Sequence, residues 1–126
     1  MAAFILSAQS IIVTADQFRR AALALPEAIE SAHMGRPDFR VRTKIFATLG
    51  TDRGVLKFTL EQQELFVRVD PAAFAPVAGG WGRKGWTQLQ LVAAKSGIVR
   101  DALTLAWRNV APKKLATALD AAATAG

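Results

Sequence analysis

The chain has no cysteine among its 126 residues, which excludes disulfides, thiolate chemistry and zinc sites of the Cys type. A reducing compartment suits such a chain, and a cytoplasmic location is expected. There is a single histidine, His33, so no pair of imidazoles can share a metal or divide acid and base roles. No apolar run approaches the roughly 18–20 residues that span a bilayer, and no membrane partner is expected. The opening Met1-Ala2-Ala3-Phe4-Ile5-Leu6 is apolar but has no basic stretch before it, and Ser7, Gln9 and Ser10 interrupt it. It is therefore not read as a secretory signal. Acids are also scarce: 10 Asp+Glu face 16 Lys+Arg, leaving a formal charge of +6.

What is present suits one folded domain. A hydrophobic fraction of 52% is too high for a disordered chain, and the length is enough to bury a core without staples. Residues 1–13 are read as an N-terminal extension and residues 14–126 as the single domain. The positive charge is clustered. Residues 36–57 hold Arg36, Arg40, Arg42, Lys44, Arg53 and Lys57 against Asp38 and Asp52. Residues 79–114 hold Arg83, Lys84, Lys95, Arg100, Arg108, Lys113 and Lys114 against Asp101 alone. Such a surplus favours phosphate backbones or acidic partners.

Along the chain, Thr14 and Gln17 form a capping-box pattern that starts a helix with Phe18, Ala22 and Leu25 on its apolar stripe, and Pro26 stops it. Residues 28–33 read as a first strand. Phe39 and Val41 alternate with Arg40 and Arg42. Ile45, Ala47 and Leu49 then share a face opposite Lys44, Phe46 and Thr48, with a tight turn at Arg42-Thr43. A strand over residues 55–60 follows, then a short helix from Thr59 or Glu61 carrying Leu65, Phe66 and Val69. A Pro/Ala segment covers 71–77. Beyond a Gly-rich loop come a strand over 86–92, a helix from Ser96-Gly97 with Ile98, Ala102, Leu105 and Ala106 as its stripe, and a last helix after Pro112. The order of elements predicts an α+β two-layer sandwich, an antiparallel sheet packed against helices.

Three segments combine Gly, Pro, Arg and aromatics in ways an ordinary core strand does not. They are His33-Met34-Gly35-Arg36-Pro37-Asp38-Phe39-Arg40-Val41 running into Lys44-Ile45-Phe46, then Gly79-Gly80-Trp81-Gly82-Arg83-Lys84-Gly85-Trp86, and finally Ala106-Trp107-Arg108-Asn109-Val110-Ala111-Pro112. Together they resemble the MmcQ/YjbR family of small bacterial proteins. The resemblance covers roughly residues 14–120 and implies a fold similar to frataxin/CyaY. It also implies DNA binding, the label often attached to that family. It does not bring iron with it, because hard cations need clustered oxygen ligands and the first helix offers Asp16 beside Arg19 and Arg20. No cofactor and no metal site are expected.

Two binding readings remain. In the first, Arg36, Arg40, Arg42 and Lys44 form a basic hairpin face, since alternate strand residues project together about 6–7 Å apart, close to phosphate spacing. Arg83 and Lys84 on the Gly-rich loop extend it, with loop N–H groups free to approach an anion. Lys113 and Lys114 stand at a helix start, where a bound phosphate would offset the dipole. The partner is then DNA or another polyanion. In the second, a protein or small anionic ligand occupies a groove holding His33, Asp38 and Trp81, without general affinity for DNA. Structural roles stand beside both: His33 as a hydrogen-bond donor where its strand begins, Asp38 orienting Arg40, and Trp86 and Trp107 as core anchors. No nucleophile–base pair has the spacing of a catalytic site, so an enzyme is not expected.

Overall fold

Two-residue turns organise the first half of the molecule. The computed structural model describes residues 13–125, so residues 1–12, nearly all of the expected extension, lie outside the described part. After helix α1 (Ala15–Leu23) the strands β1 (Ile29–His33), β2 (Arg36–Val41) and β3 (Lys44–Leu49) follow one another. Met34 and Gly35 (φ 53° and 78°) join the first two, and Arg42 and Thr43 (φ 51° and 73°) join the next two. Positive φ at both central positions marks the turn whose twist matches that of antiparallel strands. β4 (Arg53–Lys57), helix α2 (Leu60–Val69), β5 (Phe74–Pro76), the single-turn helix α3 (Gly80–Arg83) and β6 (Trp86–Gln90) come next. A 3-10 turn over Leu91–Ala93 leads into the long helix α4 (Ser96–Val110), and α5 (Lys113–Ala125) ends the described chain.

The strands form one antiparallel sheet in the order β1-β2-β3-β4-β6-β5. One of its faces carries α4, which lies across β3 and β4 with α1 beside it. The core between the layers is aromatic: Phe18, Phe39, Phe46, Phe58, Phe74 and Trp107 are fully buried. Phe66 of α2 joins them, its ring 4.9 Å from those of both Phe58 and Phe74. The indole N–H of Trp107 donates to the Pro26 carbonyl at 3.0 Å, so its polar edge is satisfied where its body is buried. Val13 is buried in this core and donates to Leu91 O. The expected two-layer α+β sandwich is the fold observed.

Local chemistry explains where the elements start. The expected capping box of Thr14 with Gln17 opens α1, and a second one, Thr59 with Gln62, opens α2 at the first of its two expected starts. The second box takes Leu60 out of the strand expected over 55–60 and makes it the first helical residue. The strand expected over 86–92 ends at Gln90, and the segment 71–77 contains an edge strand, where proline is tolerated. In α4 the buried stripe is Val99, Ala102, Leu103, Ala106 and Trp107, turned about one position from the expected one. Trp107 decides that rotation, because a fully buried indole outweighs the half-buried Ile98 and Leu105.

The clearest departure lies in β3. Asp38 pairs with Thr48 and Phe39 with Ala47, but Arg40 pairs with Ile45, leaving Phe46 as an extra residue in a bulge. A bulge reverses the phase of alternation. Phe46, expected beside Lys44 and Thr48, is instead fully buried with Ala47 and Leu49. Ile45, expected in the core, is released to the opposite face.

Candidate functional site

The face of the sheet away from the helices is uncovered, and the candidate site lies on it. Pairing places Arg36, Asp38 and Arg40 of β2, Ile45 and Thr48 of β3, Arg53, Val55 and Lys57 of β4, and Trp86, Gln88 and Gln90 of β6 on this side. Asp38 is completely buried there. Arg40 donates to it from two nitrogens, at 2.8 and 3.1 Å, and that carboxylate hydrogen-bonding raises the Arg40 pKa above its ordinary value. Asp38 thus orients Arg40, the structural role expected of it.

Two hollows adjoin across this face. One, of about 360 Å³, is lined by His33, Met34, Arg36, Asp38, Ile45 and Thr48. The other, of about 260 Å³, is lined by Arg36, Ile45, Thr48, Val55, Val77, Trp81 and Trp86. They share Arg36, Ile45 and Thr48, so His33, Asp38 and Trp81 belong to one continuous groove. Arg36 also lines a third hollow, of about 500 Å³, between α1 and the tip of the β1–β2 hairpin. Its guanidinium has no acidic partner among the described residues.

The Gly-rich segment forms the far wall. It is not the open loop expected from its composition. Gly80–Arg83 makes one helical turn, and the N–H groups of Arg83, Lys84 and Gly85 donate to the carbonyls of Gly79, Trp81 and Gly82. Those amides already have acceptors and do not form a cradle for an anion. The glycines serve close packing. A Cβ on Gly82 would lie 1.8 Å from Val77 O, and one on Gly85, at φ +104°, would lie 1.9 Å from Phe58 O. The turn is fastened from below by Gln63 of α2, whose buried Nε2 reaches Gly82 O (3.0 Å), Trp86 O (3.1 Å) and Thr87 Oγ1 (3.1 Å).

This clamp presents two indoles at the groove. Trp81 and Trp86 meet edge to face, 6.2 Å between centroids at 77°. Trp81 is 62% exposed, and Trp86 is half-buried. A lysine ammonium stands over each ring: Lys84 Nζ 5.6 Å from the Trp81 centroid and Lys57 Nζ 5.2 Å from that of Trp86. Lys57 also donates to Lys84 O at 3.1 Å, tying β4 to the turn.

The expected basic hairpin face does not assemble as a row. Arg40 is bound to Asp38, and Arg42 reaches back to Glu27 through hydrogen bonds of 2.6 and 3.0 Å. Glu27 raises the Arg42 pKa, chiefly by those hydrogen bonds. Arg42 also sits in the turn rather than in β2, so it does not continue the strand's alternation. Lys44 is exposed at the same turn, Arg83 and Lys84 are exposed on the Gly-rich wall, and Lys113 and Lys114 are exposed at the start of α5. Neither Lys113 nor Lys114 lines either groove hollow. His33 is exposed at the end of β1.

Sequence reasoning missed Ile45, Thr48, Val55 and Val77 as groove residues and Gln63 as the clamp. Ile45 was hidden by the bulge; a glutamine between apolar helix positions was the available signal for Gln63. No group of His, Asp and Glu able to hold a metal occurs among the described residues, and none of their helices is long and apolar enough to cross a membrane.

Comparison with known proteins places this architecture. The YjbR family model matches residues 23–109. The chain belongs to the YjbR family. Among solved structures it is similar to the crystal structure of Deinococcus radiodurans protein DR2400, whose family-model domain is DUF419, with a TM-score of 0.68, 20% sequence identity and 82% of each chain covered. At that identity the likeness shows the fold alone. No curated protein matches the chain. The match from 23 to 109 includes the β1–β4 meander, both groove tryptophans and all of α4 except Val110, so the open-face groove lies within the YjbR region of this chain.

Proposed function

We propose that this YjbR-family protein is a non-enzymatic binding module that holds a small anion in the groove on the open face of its sheet. The observation that supports it best is Arg36, a guanidinium with no acidic partner among the described residues, on the shared wall of adjoining hollows. Arginine is suited to forked recognition of phosphate or carboxylate. The single carboxylate in the groove, Asp38, is already engaged by Arg40, so it leaves the groove's positive end uncompensated. Mostly preformed walls with few placed polar groups are the usual character of a small-ligand site.

The test is nitrogen-15 NMR of the whole protein titrated with phenyl phosphate, beside Arg36→Ala. Saturable shifts at the Arg36, Thr48 and Trp81 amides, lost in Arg36→Ala, are expected. Absence of shifts at these positions up to about ten millimolar ligand, weaker than nearly all functional affinities, would reject the reading.

A second reading, nucleic-acid binding, keeps the support of Arg83, Lys84 and Lys44, which are exposed and have no acidic partner among the described residues. It would rest on phosphate contacts, so its affinity would fall by orders of magnitude between about 50 and 200 mM salt. The basic hairpin is its weaker half, since Arg40 and Arg42 hold internal partners.

A further inference from the structure

The two ends of the groove differ in chemistry, and the difference specifies more than charge. At one end stands Arg36; at the other, Trp81 and Trp86 form a corner, their ring planes 77° apart. Between them the floor is Ile45, Val55 and Val77, with Thr48 as the other polar side chain. No acid lines this hollow. An inorganic anion or a short aliphatic acid would use Arg36 and leave the indoles idle. The indole of Trp81 is 62% exposed, on a turn held by the buried Gln63 clamp. With Trp86, Val77, Val55 and Ile45 it makes a contiguous apolar surface, the kind that marks binding sites.

We infer that the ligand of this groove is a planar aromatic anion of the nucleoside-monophosphate class: its ring lies against Trp81 and Trp86, and its phosphate meets Arg36. The inference rests on the small-anion reading above and adds the aromatic requirement. A flat ring suits the corner because it stacks on one indole while its edge meets the face of the other, the two favoured aromatic geometries. Lys84 and Lys57 already stand over those rings, so the aromatic end holds ammonium donors suited to the neutral acceptor atoms on the edge of a base. Val55 and Ile45 bound the ring's apolar edge. The hollow of about 260 Å³ continues into one of about 360 Å³, room of the order that small-molecule sites offer. A continuous polyanion track is disfavoured in this groove, because Arg40 is bidentate on Asp38 beside it.

Calorimetric and tryptophan-fluorescence titrations of the whole protein with AMP, ribose 5-phosphate and adenosine test this at fixed ionic strength. AMP should bind roughly 10- to 100-fold tighter than ribose 5-phosphate, the range that base stacking on an aromatic side chain supplies, and should quench the fluorescence. Trp81→Ala should bring AMP down to the level of ribose 5-phosphate, and Arg36→Ala should bring it to the level of adenosine. Trp81→Phe, which keeps an aromatic face, should keep most of the preference. Equal binding of AMP and ribose 5-phosphate, still lost in Arg36→Ala, would overturn the aromatic inference and leave the small-anion reading standing. No binding of any of the three by protein with a native melting transition would overturn both. A single-stranded oligonucleotide binding more than tenfold tighter than AMP, with that advantage lost at high salt, would also overturn both in favour of a nucleic acid.

Discussion

Gln63 shows how one buried polar side chain can decide the shape of a site it does not line. Its amide nitrogen serves two carbonyls and a hydroxyl in and beside the Gly-rich turn, and Thr87 Oγ1 in turn donates to Gly85 O at 2.9 Å. Gln63→Leu keeps the bulk but removes the side-chain donor shared by Gly82 O, Trp86 O and Thr87 Oγ1. The two carbonyls keep the backbone N–H groups of Gly85 and Val77, so the cost is about 0.5–1.5 kcal/mol. We expect a chemical-denaturation midpoint lowered accordingly and weaker ligand binding, because Trp81 loses its fixed position; an unchanged midpoint would refute the clamp. Thr43 carries the opposite kind of energy. A β-branched residue at φ 73° is strained in the left-handed region. Thr43→Gly should therefore stabilise the protein by about 1 kcal/mol, read as a higher denaturation midpoint with binding unchanged. The sequence pattern carries only a faint trace of the first effect, a glutamine between apolar helix positions, and none of the second. Gln63 looks like an ordinary helix glutamine until its acceptors, 19 to 24 residues away, are known.

At the scale of elements, what was legible depended on range. The capping boxes at Thr14 and Thr59 close within three residues; the first marked its helix outright, and the second settles a start that the sequence left between Thr59 and Glu61. The turn at Arg42-Thr43 lies between two alternating runs and was equally readable. The bulge at Phe46 was not, since it exists only in the pairing of β3 with β2. Its effect was to exchange Phe46 and Ile45 between core and groove. Ion pairs between elements follow the same rule: Arg42 joins the β2–β3 turn to Glu27, and Arg108 of α4 joins Asp120 of α5. Hydrogen bonds from those arginines hold the Glu27 and Asp120 carboxyls below their ordinary values of 4.5 and 3.8. A carboxyl depressed in the fold stabilises it above the unfolded-state pKa, and the contribution is lost as pH falls through the depressed folded value. Compared with wild type, Glu27→Gln/Asp120→Asn should melt lower at about pH 7 and converge with it as pH falls below the depressed carboxyl values. Both carboxylates are solvent-exposed, so the gap should be small and should shrink in high salt. A gap that persists undiminished at the acid end would show that the substitutions act through packing instead.

For the whole molecule, the positive charge divides into two populations that composition alone cannot separate. Among the described residues, seven of the 16 Lys and Arg residues hold an acidic partner: Arg19, Arg20, Arg40, Arg42, Arg53, Arg68 and Arg108. All seven are arginines, and the cations left over include every lysine together with Arg36, Arg83 and Arg100. Basic residues concentrate at 36–57 and 79–114 in the sequence, but pairing with Glu27 and Asp38 removes Arg42 and Arg40 from the outward-facing set. Their loss should therefore act on stability rather than on recognition. Arg40→Ala leaves Asp38 buried without its partner, and the protein should melt several degrees lower. Its affinity for an oligonucleotide, measured by anisotropy on the folded fraction at about 50 mM salt, should stay within roughly twofold of wild type. Arg83→Ala/Lys84→Ala should do the reverse, leaving the melting temperature unchanged and weakening any polyanion binding at low salt. If Arg40→Ala weakened oligonucleotide binding as much as Arg83→Ala/Lys84→Ala does, a nucleic-acid backbone would have to run along β2. The pairing of Arg40 with Asp38 would then have to open to receive it, and the groove would be part of a polyanion track rather than a site for one small ligand.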